Sequence, residues 1–285
     1  MSDEAVVEIR SLAKTFRDFW FRPLAAALRG IDLSVARGDV FGLLGPNGSG
    51  KSTTIKLILG LLRPTSGTVR LFGLPPRDRR ARARLGYLPE LSCLHPFLTA
   101  RETVRYYAGL SGLDRRTTRE RTDELLARMG LSAQANRAVG GFSKGMARKV
   151  AFAAALVAHP ELLVLDEPTA GLDPMGREVL LSQIVRYHKE RDNTVLLVSH
   201  TMEDVARFAD KIIVMNKGRL EMFAPTKEVF SRGEELESFG LKIPQITKIM
   251  RQLRQKGFDV PEGVLTVDEA LSALLPLLKK EGKLW

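Results

Sequence analysis

Continuous apolar runs and helix-spaced polar stretches take turns along most of this chain. Residues 5–12 and 26–36 alternate apolar and polar positions, which predicts two half-buried strands. Between them lies an aromatic loop, Phe16-Arg-Asp-Phe-Trp-Phe-Arg-Pro-Leu24. Asp39-Val-Phe-Gly-Leu-Leu44 predicts a short apolar strand, Ser52 to Leu62 a helix closed by Arg63-Pro64, and residues 65–74 a hairpin strand. From about 76 to 140 the spacing turns helical, at Arg101–Gly109 and Thr117–Met129, and strand signals are scarce. That stretch predicts an inserted helical subdomain ending at Gly140-Gly141.

The strand rhythm then returns. Glu161-Leu-Leu-Val-Leu-Asp166, Thr194-Val-Leu-Leu-Val-Ser199 and Lys211-Ile-Ile-Val-Met215 are unbroken apolar runs, as parallel strands covered on both faces require. Helical segments near 144–158, 174–191 and 201–209 separate them, so the alternation predicts an α/β sheet. A boundary is expected near Ala224-Pro225. Beyond it, Ile246, Ile249, Met250 and Leu253 share one helix face. Thr266-Val-Asp-Glu269 reads as a capping box. The helix behind it aligns Val267, Ala270, Leu271, Leu274 and Leu275.

Composition narrows the class. The chain has 285 residues, is 44% hydrophobic and holds one cysteine, which excludes a disordered chain and a disulfide scaffold. The longest apolar stretch, Val150–Ala158, falls far short of the about 20 residues a membrane span needs. The opening Met-Ser-Asp-Glu-Ala is acidic and polar, unlike a secretory signal, so a cytoplasmic location is expected. The net charge is +11. It is concentrated in residues 1–143, with 23 basic against 13 acidic residues, densest at 77–84 and 115–121. Nucleic acid, an anionic membrane surface and a phosphorylated ligand all fit such a charge, and so does a solvated helix face.

Gly45-Pro-Asn-Gly-Ser-Gly-Lys-Ser52 fits the phosphate-binding pattern G-x-x-x-x-G-K-[ST], with the required strand before it and helix after it. Gly48 and Gly50 permit positive φ, which turns successive N–H groups inward on an anion. The helix N-terminus adds its positive end. Lys51 would reach the β- and γ-phosphates, and Ser52 would hold Mg²⁺. Leu162-Leu-Val-Leu-Asp-Glu167 is an apolar strand ending in two carboxylates. Asp166 is placed to hold Mg²⁺ through water, and Glu167 to orient or deprotonate an attacking water. His200 follows the 194–199 strand. It falls at the carboxyl edge of a parallel sheet, where α/β proteins bind ligands, and there it would meet the γ-phosphate.

In this order the motifs resemble those of the nucleotide-binding subunit of ABC transporters, over roughly residues 5–224. Residues 45–52 and 162–167 match the Walker A and B segments. Ala170-Gly-Leu-Asp-Pro174 resembles the D-loop, and Ser199-His200 the switch histidine. The resemblance implies a P-loop NTPase with a RecA-like parallel core, an antiparallel β subdomain, the helical insertion at about 76–140, and a C-terminal helical extension over 225–285. It implies ATP and Mg²⁺ as cofactors and hydrolysis of the β–γ bond. ATP would be held by Gly45, Pro46, Asn47, Gly48, Ser49, Gly50, Lys51, Ser52 and Thr53, with Phe16 stacked on adenine and Asp173 contributing. Glu167, His200 and Lys51 would be catalytic. Ser52, Asp166 and Glu90 would hold the metal.

Two positions depart from the family pattern. The signature usually reads Leu-Ser-Gly-Gly-Gln and here reads Phe142-Ser-Lys-Gly-Met146. It keeps Ser143 and Gly145, which in the family reach the ATP of the opposite subunit. Glu90, in Gly86-Tyr-Leu-Pro-Glu90, stands where the family usually has Gln, adding negative charge near the γ-phosphate.

The resemblance also implies partners: a second ATPase subunit, homo- or heterodimeric, paired head to tail, and separate integral membrane subunits that carry the substrate. Nucleic acid is not expected, and the chain would be peripheral on the cytoplasmic face of the membrane. The extension would serve subunit pairing, with a self-packed cap as the alternative. Residues 26–146 are more similar to ATPases of ABC-2-type exporters, whereas those from 185 onward resemble energy-coupling-factor ATPases. That split implies a natural mosaic or a chimera joined within 150–185, which a single full-length relative would argue against. The competing class is an ABC-type ATPase acting on nucleic acid, supported by the charge. It usually carries coiled-coil arms, zinc sites or a second ATPase half, and none is visible here. A nucleotide-binding regulator without hydrolysis is a third class, opposed by Glu167 and His200.

Overall fold

A computed structural model of the chain describes residues 5–20 and 22–280, with side chains to 276. The acidic start at 1–4 and Phe21 of the aromatic loop lie outside the described residues. Two sheets form. The first joins β1 (Val7–Arg17), β2 (Pro23–Val35) and β4 (Ser66–Leu71), antiparallel in the order β2-β1-β4. The second contains β3 (Val40–Leu44), β5 (Leu85–Leu88), β6 (Leu162–Asp166), β7 (Thr194–Val198), β8 (Lys211–Asn216) and β9 (Arg219–Pro225). Its order is β5-β6-β7-β3-β8-β9, parallel except for β9.

The apolar runs explain the larger sheet. Every residue of β3 and β7 is buried. Alternate side chains point to opposite faces, so one strand feeds two cores. Leu163, Leu165, Val195 and Leu197 join one cluster with Val104, Phe152 and Ile184 from the helices α3 (Ala100–Leu110), α5 (Lys144–Leu156) and α6 (Pro174–Arg191). Leu162, Val164, Leu196 and Val198 face the other way. They meet the small sheet and Ile55 and Ile58 of α1 (Lys51–Ile58).

Several expectations are corrected. Both ends of the aromatic loop are strand: Phe16 pairs with Ala25 and Arg17 with Pro23, because the antiparallel hairpin continues beyond the alternating residues. The stretch 76–140 is not wholly helical. Leu85–Leu88 is an edge strand of the main sheet, paired in parallel with β6. Four residues among arginines carry too little pattern to announce it. The basic run at 77–84 forms a short helix, α2 (Arg79–Ala83), capped by Asp78, which accepts from the Arg80 N–H at 2.8 Å. The other basic run opens α4 (Arg115–Arg128), capped by Asp114. Strand β9 was not foreseen.

Beyond residue 225 come α8 (Thr226–Ser231), α9 (Gly233–Ser238), α10 (Gln245–Gln255) and α11 (Val267–Lys280). Val229, Phe230, Leu236 and Leu241 share an apolar cluster with Leu44, Val205, Ile212 and Val214, so the start of this extension packs on the sheet. Helices α10 and α11 enclose a smaller cluster of Met250, Val260, Val264 and Ala270. The expected capping box is present: Thr266 Oγ1 accepts from Glu269 N–H, and Glu269 accepts from Thr266 N–H, both at 3.2 Å. The expected apolar faces are only partly covered. Ile249, Val267, Leu271 and Leu275 remain exposed. No helix among the described residues is long and apolar enough to cross a membrane.

Phe230→Ala is expected to destabilise the protein by about 3–5 kcal/mol, as large-to-small core changes do. Because Phe230 packs on the sheet, denaturant melts followed by sheet and helix signals should shift together. A shift confined to a separate minor transition would contradict the shared core.

Candidate functional site

Strand register builds the site. Asp166 at the end of β6 lies opposite Val198 of β7, and Leu43 of β3 also pairs with Val198. The three strands therefore release their following loops at one edge. There Gly45–Gly50, Glu167 and His200 emerge beside one another, at the carboxyl edge of the sheet.

The loop after β3 turns through positive φ at Gly48 (77°) and Gly50 (108°). Gly50 is the N-cap of α1, and a Cβ there would stand 2.8 Å from the Ala27 carbonyl oxygen. Lys51 is buried, and its Nζ donates to the Gly45 carbonyl at 2.6 Å and the Pro46 carbonyl at 3.1 Å. Burial lowers the Lys51 pKa, while Glu167 and Asp166 oppose that shift. The Ser49 hydroxyl is buried without a hydrogen-bond partner, whereas Ser52 is exposed at the helix start.

Glu167 follows β6 with φ 47°, a left-handed conformation rare for this residue type and a sign of local strain. Its N–H donates to the Val198 carbonyl at 3.0 Å. Its Oε2 accepts from the His200 N–H at 3.2 Å, and His200 Nε2 lies 3.3 Å from Oε1. Among the described residues that buried Oε1 accepts no hydrogen bond, and the His200 ring is its close neighbour. Burial raises the Glu167 pKa, His200 pulls it back, and the charges of Asp166 and Glu90 push it up again. Burial and Glu90 likewise raise Asp166, with Arg148 opposing. Tyr87 lies beside Asp166, and its pKa is pushed up to about 12, mainly by burial and next by the Asp166 charge.

The structure thus gathers the 45–52 loop, Glu90, Asp166, Glu167 and His200. Phe16, Ser143 and Asp173 form no hydrogen bond or ion pair with that group among the described residues. Phe16 is partly exposed on β1, with Lys14 Nζ 5.3 Å from its ring centre. Ser143 caps α5, its hydroxyl accepting from the Met146 N–H at 3.2 Å. No hydrogen bond or ion pair among the described residues joins 142–146 to 45–53. Asp173 caps α6, accepting from Gly176 N–H at 3.2 Å. Sequence reasoning missed Tyr87 and Arg148. Arg148 is buried with its pKa drawn down to about 10, chiefly by burial. Its only signal was a charge at the edge of the apolar 150–158 run.

A sequence model described as ABC transporter matches residues 28–170. The energy-coupling factor transporter ATP-binding protein EcfA2 of Caldanaerobacter subterraneus subsp. tengcongensis is 38% identical over 262 residues, covering 89% of this chain and 91% of that protein. The chain belongs to the ABC transporter ATP-binding family. Another relative of this ABC ATPase, the protein of the same name from Symbiobacterium thermophilum, is 40% identical over 261 residues, covering 88% and 90% of the two chains. Among solved structures, cbiO1 from Clostridium perfringens, part of the ABC transporter complex cbiONQ, superposes with a TM-score of 0.72 at 30% identity, covering 87% of this chain and 99% of that one. A dimeric ATP-binding cassette in a post-hydrolysis state with ADP and Pi gives a TM-score of 0.70 at 27% identity, covering 77% and 98%. This chain is accordingly an ATP-binding, ATP-hydrolysing subunit. One relative spans both segments whose resemblances differ, so the split needs no join. The names of these relatives offer nothing to the nucleic-acid alternative.

The raised Glu167 pKa has a stability consequence. Between its unfolded and folded values, the folded chain holds a proton that the unfolded chain has lost, so stability falls as pH rises through that window. Glu167→Gln is expected to raise the Tm at neutral pH, with the gain fading as pH falls and lost below about pH 4, under the unfolded carboxyl's own pKa. Thermal melts across that range test this; a gain independent of pH would contradict it.

Proposed function

We propose that this ABC ATPase hydrolyses ATP with Glu167 as the water-orienting base and His200 as the γ-phosphate contact. The observation carrying this reading is the buried Oε1 of Glu167, which accepts no hydrogen bond among the described residues and lies beside His200 at the edge where the phosphate loop ends. Phosphate oxygens would replace the Gly45 and Pro46 carbonyls as partners of Lys51. The backbone N–H groups of 45–53 and the α1 N-terminus would hold the remaining phosphate charge. Little covalent work falls to the protein; it positions groups and neutralises charge.

Mg²⁺ suits the donors present. They are oxygens, the hydroxyl of Ser52 and the carboxylates of Asp166 and Glu90, which hard divalent cations favour. Among the described residues, no group of three His, Cys, Asp or Glu forms a metal cage of its own. That fits an ion that would share its shell with phosphates and water. Once bound, Mg²⁺ would neutralise charge on the β- and γ-oxygens.

Ser143 and Gly145 form no hydrogen bond with the phosphate loop of their own chain among the described residues, which supports a composite site completed by a second subunit head to tail. Asp173 would act from that junction, and Phe16 would stack on adenine. The membrane subunits would dock where α3, α5 and β5 enclose a cavity of about 290 Å³ lined by Tyr87, Ser92, Cys93, Tyr107 and Ala154. Exposed Leu91 and Phe97 lie on the connecting segment. The names of the relatives favour an energy-coupling-factor transporter and a peripheral position at the cytoplasmic face. Exposed apolar positions on α10 and α11 support a pairing role for the extension.

Glu167→Gln is expected to keep ATP binding and lower turnover by roughly two decades or more. Phosphate release beside a fluorescent-nucleotide titration measures both, and unchanged turnover would remove Glu167 from the chemistry. Lys51→Ala is expected to weaken nucleotide binding in the same titration. Unaltered affinity would contradict the phosphate-loop assignment.

A further inference from the structure

Arg148 is the most heavily bonded side chain near the site, yet no step above uses it. It lies on α5, one turn beyond the Ser143 cap, and is 4% exposed. Its Nε donates to the Pro168 carbonyl at 2.8 Å. Nη2 donates to the carbonyls of Asp166 at 3.1 Å and Glu167 at 2.8 Å. Nη1 donates to the Pro89 carbonyl, to the Glu90 carbonyl at 3.0 Å and to the Ser92 hydroxyl at 2.9 Å. One edge of the fork therefore grips the turn at 166–168, and the other grips the segment 89–92.

Among the described residues no carboxylate pairs directly with this guanidinium. Burying a charge is costly, and a packed apolar side chain would often be at least as stable. What the fork supplies is geometry: five N–H donors in a rigid plane, aimed at two segments that share no strand hydrogen bond there. The gripped turn includes the strained backbone of Glu167. The gripped segment carries Glu90 and continues to Cys93 at the cavity between α3 and α5.

We infer that Arg148 is a positioning residue that locks the 89–92 segment to the 166–168 turn, so that displacing either one displaces the other. Nucleotide at the Glu167 side is thereby sensed at the cavity, and a partner moving the cavity wall shifts Glu167. This rests on the reading of Glu167 and the phosphate loop as the ATP site. Lysine keeps the charge but cannot span both segments with one ammonium, so charge and geometry are separable.

Cys93 provides the test, since it is the sole cysteine and is exposed. An environment-sensitive fluorophore attached there, on the full chain, reports the 89–92 side. A fluorescent ATP analogue reports binding separately. In the parent chain, ATP with Mg²⁺ should change the Cys93 signal. Arg148→Gln should bind the analogue as tightly as the parent, lose the Cys93 response, and lose about tenfold to a hundredfold in kcat with unchanged KM, as misplacement of a reacting group does. Arg148→Lys should recover only part of both. If Arg148→Gln fails to melt cooperatively, Arg148→Lys carries the same comparison. The inference is overturned if a variant that loses turnover keeps the full Cys93 response, if lysine restores everything, or if the parent binds ATP without a Cys93 response. A parent that binds no ATP would instead bring down the reading of the site itself.

Discussion

Parallel pairing of β3, β6 and β7 is the constraint from which the site follows. Strands buried on both faces leave no room for polar side chains along their length. Polar groups can collect only where the strands end. In-register pairing brings Leu43 and Asp166 level with Val198, so those ends coincide. The phosphate loop, the acidic turn and His200 are brought together by backbone hydrogen bonds made elsewhere.

The same placement makes the edge costly to fold. Asp166 and Glu167 are partly desolvated, and burial raises both pKa values. Glu167 also holds a left-handed backbone. Positive charge from Lys51 and Arg148 offsets this without forming direct pairs with the carboxylates. Lys51 is bonded to carbonyls of its own loop, and Arg148 to carbonyls of two others. Such an arrangement keeps these cations off the carboxylates, whose near partner is His200 beside Glu167, as a reaction centre requires and a stability-optimised core would not.

Several arginines are paired locally, which leaves the +11 excess itself on the other basic side chains. Arg80 pairs with Asp78, Arg84 and Arg37 with Glu161, and Arg128 with Glu190. These pairs involve exposed or half-exposed side chains and contribute modestly each. Of the run at 77–84, Arg84 is held against the start of β6 through Glu161 and over the Phe72 ring, whereas Arg80 pairs within the run and stays exposed.

Apolar runs and spaced glycines were enough to read the α/β class, the phosphate loop, the carboxylate pair and the histidine, because each is a local pattern with its own chemistry. Four residues of β5 among arginines, the antiparallel return of β9 and the near-complete β1–β2 hairpin escaped, since short edge strands depend on a neighbour to supply their hydrogen bonds. Which face of α10 and α11 is covered was also hidden: spacing marks an apolar stripe but does not say what packs on it. Arg148 shows the limit most clearly. Its residue type says only that it carries a charge. That the charge is buried, and that its fork joins two turns distant in sequence, depended on where the sheet placed those turns.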